Sequence, residues 1–478
     1  MKKFLSILVS LLIAAAPAFA WPTVYPRGTT LYDPQRAFNG YTLFSMISAV
    51  PLAKSSVLLL IDMNGQIVHQ WKVPFSPVLQ GRLLPNGNVV IIGQNDQAAP
   101  QRPGVGQRWM GGAAGWIVEL DWDGKKVFEH VDLKMHHDCI KLPNGNYLYT
   151  AWEPVPKALQ KKVRGGAIGT EHKDGTMFND YLVEINPQGK TVWTWHANAH
   201  LNPDIDIIGP FYKREEWSHA GSVAMMQNGN ILLASRHLDS MIVIDKKTGK
   251  IIFRWGNTAY LDKATGRLEY RIGENNLGGP HDAQEIAPGL LGSGLLLCYD
   301  NGTYADLSRV VAVDPVRRHV VRQWRAPKVL GRNHFSSFLG GAQMLPNGNM
   351  LICDGANGRF FQLTDDNKMV WEYVNPYTMT TPDFRGAVYK IHHYAPDYCP
   401  QFKALPAAAG PAVVPKADEF PAAEAAMVVA PQLVPQDTPA TQQAVAQPRL
   451  QNVLALLVAL AASAGLGFFW GRRVPGKR

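Results

Sequence analysis

The chain has 478 residues, of which 46% are hydrophobic and 18% charged, a balance that supports a large packed core and excludes an intrinsically disordered chain. Four cysteines are too few for a disulfide-built scaffold. The formal charge of +9 lies largely at the ends of the chain: Lys2 and Lys3 supply two charges and the last seven residues four. A Pro-rich stretch before the tail subtracts two, so the central segment carries a surplus of five, which favours anionic ligands without indicating nucleic acid.

Met1 to Ala20 has the form of a secretory signal: two lysines, an apolar run from Phe4 to Ala16, and the small-residue site Ala18-Phe19-Ala20. The mature chain is then expected to begin at Trp21, with a folded region from there to Lys403.

That region is repetitive. Tight turns recur at Asn86-Gly87, Asn144-Gly145, Asn228-Gly229 and Asn347-Gly348, each between two apolar strands. Asn-Gly favours a two-residue hairpin turn in which both residues have positive φ. Downstream of the turns, strands end in an aromatic residue or His at Trp71, His130, Trp195, Trp255, Trp324 and Tyr373, spaced by 59, 65, 60, 69 and 49 residues. Six such units, each with room for four short strands, predict an all-β, six-bladed β-propeller. The first unit has three strands, near Gly40–Phe44, Ser56–Asp62 and Gln66–Trp71, but no innermost strand; the segment Gly386–Tyr394 is a strand without a blade. The second is expected to complete the first, closing the ring and removing exposed edges.

Cys139, Cys298 and Cys353 fall within predicted strands, where a free thiol packs as a small apolar group. Cys353 with Cys399 is the one pairing to consider, and the chain contains no Cys-x-x-Cys or Cys/His metal spacing.

In a propeller the innermost strands line a central channel. Just before those strands stand His136-His137-Asp138, Trp217-Ser218-His219, Pro280-His281-Asp282 and Asn333-His334. A histidine recurring at one position in four blades suits proton transfer, metal binding or nucleophilic attack, and spacing does not choose among them. Adjacent strand residues point to opposite faces, so Asp138 and Asp282 are expected to orient histidines or cap turns rather than to bind a catalytic metal.

Three stretches, Trp217–Val223 with Ser235–Asp239, Pro280–Gln284 with Asp300-Asn301-Gly302 and Ser308-Arg309, and Gly341–Gly355, resemble the bacterial arylsulfate sulfotransferases. The resemblance implies a six-bladed ring and transfer of a sulfuryl group from an aryl sulfate to a phenol through a sulfohistidine, with no adenylylated sulfate donor and no cofactor. The absence of a Gly-x-x-x-x-Gly-Lys-Ser/Thr phosphate loop agrees with it. His219 and His281 match two of the family's channel histidines, and the nucleophile, which falls late in the ring, corresponds to His334. After Asp-Asn-Gly, where the family has a sulfate-binding Arg, this chain has Thr303-Tyr304-Ala305. Arg309 or Arg236 is left for that role, with His137 and Tyr304 as further substrate contacts. The close-spaced cysteine pair of better-known members is missing.

Two other readings compete. Asp245–Lys250 and Gly189–Trp193 look like the tryptophan-docking repeats of pyrroloquinoline quinone propellers, although that motif mostly joins blade to blade. A membrane-anchored binding scaffold without catalysis is the other, since fold does not fix function.

Ala404 to Arg449, rich in Ala, Pro, Val and Gln, is expected to be an extended spacer. Val453 to Trp470, followed by Arg472, Arg473, Lys477 and Arg478, is long enough to cross a bilayer as a helix. The positive-inside rule then keeps the tail in the cytoplasm and the propeller on the periplasmic or outer side.

Overall fold

The computed structural model describes residues 27–46, 56–75, 78–94, 111–172, 174–328, 334–377 and 386–406. The signal at 1–20, the segment 453–470 with its basic tail, and all but the first three residues of the spacer lie outside the described residues. Among the described residues no helix is long and apolar enough to cross a membrane.

Six four-stranded antiparallel sheets follow one another along the chain. From the inside outward, blade 2 runs Val78–Leu83, Val89–Gly93, Trp116–Leu120 and Lys126–Val131. Blade 3 runs Met135–Lys141, Tyr147–Pro154, Phe178–Ile185 and Thr191–His196. Blade 4 is Ala220–Met225, Ile231–Ser235, Ser240–Ile244 and Ile251–Trp255, and blade 5 is His281–Glu285, Leu296–Asp300, Arg309–Asp314 and His319–Trp324. Blade 6 comprises Gly341–Met344, Met350–Asp354, Arg359–Leu363 and Met369–Val374, with Gly28–Tyr32 added at its outer edge. Blade 1 is completed by the end of the ring: Val388–Tyr394 pairs with Tyr41–Met46, ahead of Ser56–Ile61 and Ile67–Val73. The orphan strand is therefore the missing inner strand, and the first strand of the fold covers the last blade. All six unit-ending residues sit in fourth strands.

The four repeated turns each join an inner strand to the next one out, but with a geometry other than the expected hairpin. In the first, Gly87 N–H donates to Leu84 O at 2.9 Å, so Pro85 and Asn86 are the central pair, and Gly87 follows at φ +87° while Asn86 has no positive φ. Proline suits the second turn position because its φ is fixed, and the left-handed residue after the turn is the one that requires glycine. Asn86 Oδ1 accepts the N–H of Asn88 at 3.0 Å, which explains why Asn rather than another polar residue recurs here.

Packing is concentrated between blades. Leu232, Met241 and Trp255 of blade 4 meet Leu296 and Val311 of blade 5, and Phe44 and Leu59 of blade 1 meet Phe360 and Trp371 of blade 6. Outer-strand tryptophans also donate to the outer turn of the following blade: Trp71 to Asp121 O, Trp195 to Gly249 O, Trp255 to Arg318 O and, across the closure, Trp371 to Met63 O, all at 2.8–3.0 Å. The Asp245–Lys250 turn is thus blade-to-blade docking. Contacts of the ring continue to Pro406, whose carbonyl accepts from Tyr41. All four cysteines are buried free thiols, so the Cys353–Cys399 pairing is not formed.

Candidate active site

The inner strands of blades 3, 4 and 5 each begin with a break in register; in blades 3 and 5 the break carries a non-glycine residue at positive φ, His137 at +48° and Asp282 at +51°, and in blade 4 such a residue, His219 at +51°, stands immediately before the strand. A bulge of this kind re-aims side chains. It also suspends the alternation on which the sequence argument about Asp138 and Asp282 rested. Those aspartates neither orient histidines nor cap turns. Both reach Lys390 on the inner strand of blade 1, Asp282 at 2.5 Å and Asp138 at 3.5 Å, and each accepts an inner-strand N–H from the next blade, Asp138 from Val223 and Asp282 from Ala342.

Two histidines rather than four, His137 and His281, occupy the recurrent position: Asp138, Ser222 and Asp282 each accept the matching inner-strand N–H of the next blade, which puts Gly221 of blade 4 level with His137 and His281, and His219 two residues before it. The inner strand of blade 6 starts at Gly341, seven residues after His334, and the equivalent position there is Leu339-Gly340. His334 contacts Tyr299 through Nε2 (3.1 Å), Asp354 through Nδ1 (3.2 Å) and Phe361 by an edge-on ring, so both of its nitrogens are engaged by residues outside the histidine cluster.

The cluster is built on His137, His219, His237 and His281. The rings of His137 and His219 meet edge-on with centroids 4.5 Å apart, and His219 stacks on His237 at 4.5 Å and 13°. His219 Nδ1 lies 3.1 Å from Glu216 Oε2, which also accepts the Trp152 indole N–H at 2.9 Å. Burial alone would raise the Glu216 carboxyl, but the adjoining His219, with His237 and His136 beyond it, brings it down to about 2. His137 is packed more tightly: Nδ1 meets His136 Nδ1 at 2.8 Å, and a Cβ on Gly112, which holds φ +75°, would collide with the ring. Burial, then the neighbouring histidines, hold it well below its usual range.

His281 has a defined tautomer. Asn301 Nδ2 donates to two backbone carbonyls, Ser336 O at 2.7 Å and Leu339 O at 2.9 Å, which turns Asn301 Oδ1 toward the ring. His281 Nδ1 must therefore donate, to Asn301 Oδ1 at 2.6 Å and to Gly279 O at 3.1 Å. Nε2 keeps its lone pair and has no hydrogen bond among the described residues. Burial and the Arg236 charge lower its pKa to about 3, so the ring is neutral at pH 7.

The two candidate arginines differ. Arg309 is fully committed: Nε pairs with Asp300 at 2.8 Å, Nη2 donates to Glu274 O and Asn276 O, and Nη1 to Gln323. Arg236 stacks over the Tyr212 ring at 5.4 Å and donates from Nη2 to Ser337 O, while its buried Nη1 has no partner among the described residues. Tyr304 is occupied too. Its hydroxyl donates to Asp239 Oδ2 at 2.6 Å, and Tyr212 donates to the other carboxylate oxygen at 2.7 Å. Asp239 is raised by burial to about 7 despite these bonds.

Of the residues singled out from sequence, the fold brings His219, His281, Arg236 and His137 together and gives His334, Arg309 and the Tyr304 hydroxyl other partners. Glu216, His237, Asp239 and Tyr212 were missed. Glu216 stands three residues before His219, a spacing that was readable; the others owe their place to the ring.

A family model for arylsulfotransferase (ASST) matches residues 37–381. The chain belongs to the arylsulfotransferase family. Membership supports a sulfotransferase enzyme at the family level, acting on small aryl sulfates and phenols. No curated protein matches the chain. Among solved structures, a protein of unknown function from Bacteroides caccae is 13% identical over 74% of this chain and 98% of its own, with a TM-score of 0.43. Virginiamycin B lyase from Staphylococcus aureus is 10% identical over 75% and 87%, with a TM-score of 0.37, and apo AztD from Citrobacter koseri is 11% identical over 74% and 98%, with a TM-score of 0.36.

Proposed function

We propose that this arylsulfotransferase moves a sulfuryl group from an aryl sulfate to a phenol through a sulfohistidine on His281. The observation that carries the reading is the Asn301 amide, which fixes the proton on Nδ1 and leaves the Nε2 lone pair available beside an unpartnered guanidinium nitrogen.

In the first step Nε2 attacks sulfur as the sulfur–aryl oxygen bond breaks. Arg236 Nη1 takes charge from the sulfuryl oxygens, and His219, held by the Glu216 carboxylate, gives its proton to the departing phenolate. In the second step the acceptor phenol returns a proton to His219, its oxygen attacks sulfur, and the sulfur–nitrogen bond breaks to regenerate neutral His281. Neither step needs a nucleotide donor. Tyr212 supports Arg236 from below, and Asp239 in turn fixes Tyr212.

The test is release of 4-nitrophenol from its sulfate ester with and without an acceptor phenol. Release that depends on the acceptor supports transfer; equal release without it indicates a hydrolase, and none with several donors removes the catalytic reading. The Met1–Ala20 and Val453–Trp470 segments further support an exported enzyme tethered at the membrane with the propeller outside. Protease added to cells with a permeabilised outer barrier should then free the propeller, whereas recovery of the intact chain in the cytoplasm would refute this topology.

A further inference from the structure

The connection between the second and third strands of blade 2 ends in Gly111–Gly115, which runs along the start of the inner strand of blade 3. Gly112 O accepts the His137 N–H at 2.7 Å, Ala113 forms a bridge with His136, and Ala114 N–H donates to Met135 O at 3.1 Å. The segment is thereby fixed against the histidine cluster, and its first two residues are both glycine.

The two glycines differ in what they require. Gly112 has φ +75° and no room, since a Cβ there would lie 2.2–2.3 Å from three atoms of the His137 ring. Gly111 has neither constraint. Its φ lies outside the left-handed region, and a Cβ would meet only one atom within 4 Å among the described residues, His219 Cε1 at an ordinary contact distance of 3.8 Å. At a position the backbone leaves open to alanine, glycine only adds freedom to the unfolded chain, so nothing in the fold accounts for it. What it leaves is exposed, open space against one imidazole.

That imidazole is the proposed acid. His219 Nδ1 lies against Glu216 Oε2, and one face of the ring stacks on His237, so Nε2 is the nitrogen left for substrate. Cε1, the atom that Gly111 borders, is bonded to Nε2. An aryl oxygen taking a proton from Nε2 comes within about 3 Å of it, and the ring it carries starts one bond farther on. We propose that Gly111 is a specificity-determining residue: the space kept free by its missing side chain holds the aryl ring of donor and acceptor beside His219. The inference rests on the sulfotransferase reading, in which His219 serves the aryl oxygen.

Turnover of 4-nitrophenyl sulfate, with one ring, and 4-methylumbelliferyl sulfate, with two fused rings, is compared with phenol as acceptor in wild type, Gly111→Ala and Gly111→Val. The expected result is a kcat/KM that falls roughly tenfold or more in Gly111→Val, mainly through KM and more steeply for the two-ring donor, with Gly111→Ala between. Thermal melts should place both variants at or above the wild type; if Gly111→Val does not fold, Gly111→Ala decides. Calorimetric titration with 4-nitrophenol and 4-methylumbelliferone separates the two ideas. A wild type that binds these phenols but turns over neither donor fails the transfer reading, and weaker phenol binding in the folded variant then still supports the inference. Unchanged KM for both donors in the folded variant, a loss confined to kcat and equal for the two, or phenol binding that is absent or insensitive to residue 111 overturns it.

Discussion

Replacing Lys390 with methionine removes the cation that reaches both of two buried carboxylates, Asp138 and Asp282. Asp138 is the better provided of the two afterwards: it keeps the N–H of Val223 at 3.1 Å, the amide of Gln80 and the guanidinium of Arg82 at 3.8 Å. Asp282 loses its 2.5 Å partner and keeps only the Ala342 N–H at 3.2 Å and a 3.4 Å contact from Gln284. One carboxylate is thus left buried without a counter-charge, and the expected destabilisation is about 3–5 kcal/mol, the usual cost of breaking a buried pair from one side. Adding Asp282→Asn to the same chain removes the orphaned charge and should recover most of that loss. Urea denaturation of wild type, Lys390→Met and the double variant measures both quantities. A Lys390→Met cost below about 1 kcal/mol, or no recovery in the double variant, would refute the view that this belt of charge holds the inner strands together.

Arg236→Ala should lower kcat/KM for the aryl sulfate by roughly 10²–10³-fold, as for loss of one donor to the developing charge, while Arg309→Lys should show its effect in stability instead; the reverse pattern contradicts the assignment. Stability should fall as pH drops below 6.5 toward 4, because His237, His281 and His393 have folded pKa values of about 3, 3 and 4, and the unfolded chain therefore binds more protons there. Each contributes about 1.4 kcal/mol per pH unit, and Asp239, raised to about 7, opposes with one such contribution, so a denaturation midpoint that is flat from pH 7 to 5 contradicts the burial of these rings. Trp195→Phe should cost about 1–3 kcal/mol by removing the donor to Gly249 O. Trp324→Phe should cost less, since the Trp324 indole N–H has no partner among the described residues; equal denaturation midpoints would argue against the docking bonds.

The ring was legible because two independent marks recur at blade spacing: the turn after the inner strand, and the aromatic residue in the outer one. Closure was legible for a related reason, since one unit lacked a strand and one strand lacked a unit. The site was read less well. His334 was counted with the other histidines because it precedes an inner strand late in the ring, and only the start of that strand at Gly341 shows that it stands seven residues ahead of it. The register breaks at the starts of the inner strands of blades 3 and 5 suspend the period-two rule locally, so alternation misdirected Asp138 and Asp282. Arg309 and Arg236 are indistinguishable by residue type; what separates them is the acceptors around Arg309, which come from as far away as Glu274. Asp239 reaches Tyr304 across 65 residues of chain, a pairing that no local pattern announces.

The central claim is the sulfohistidine on His281, and intact-mass measurement after incubation with 4-nitrophenyl sulfate in the absence of acceptor tests it most directly. The account predicts a gain of one sulfuryl group in the wild type and in His334→Asn, mapped by peptide sequencing to His281. It predicts no gain in His281→Ala, and in His219→Ala a gain that forms roughly 10²–10⁴-fold more slowly. An adduct that persists in folded His281→Ala, or that maps to His334 in the wild type, would contradict it.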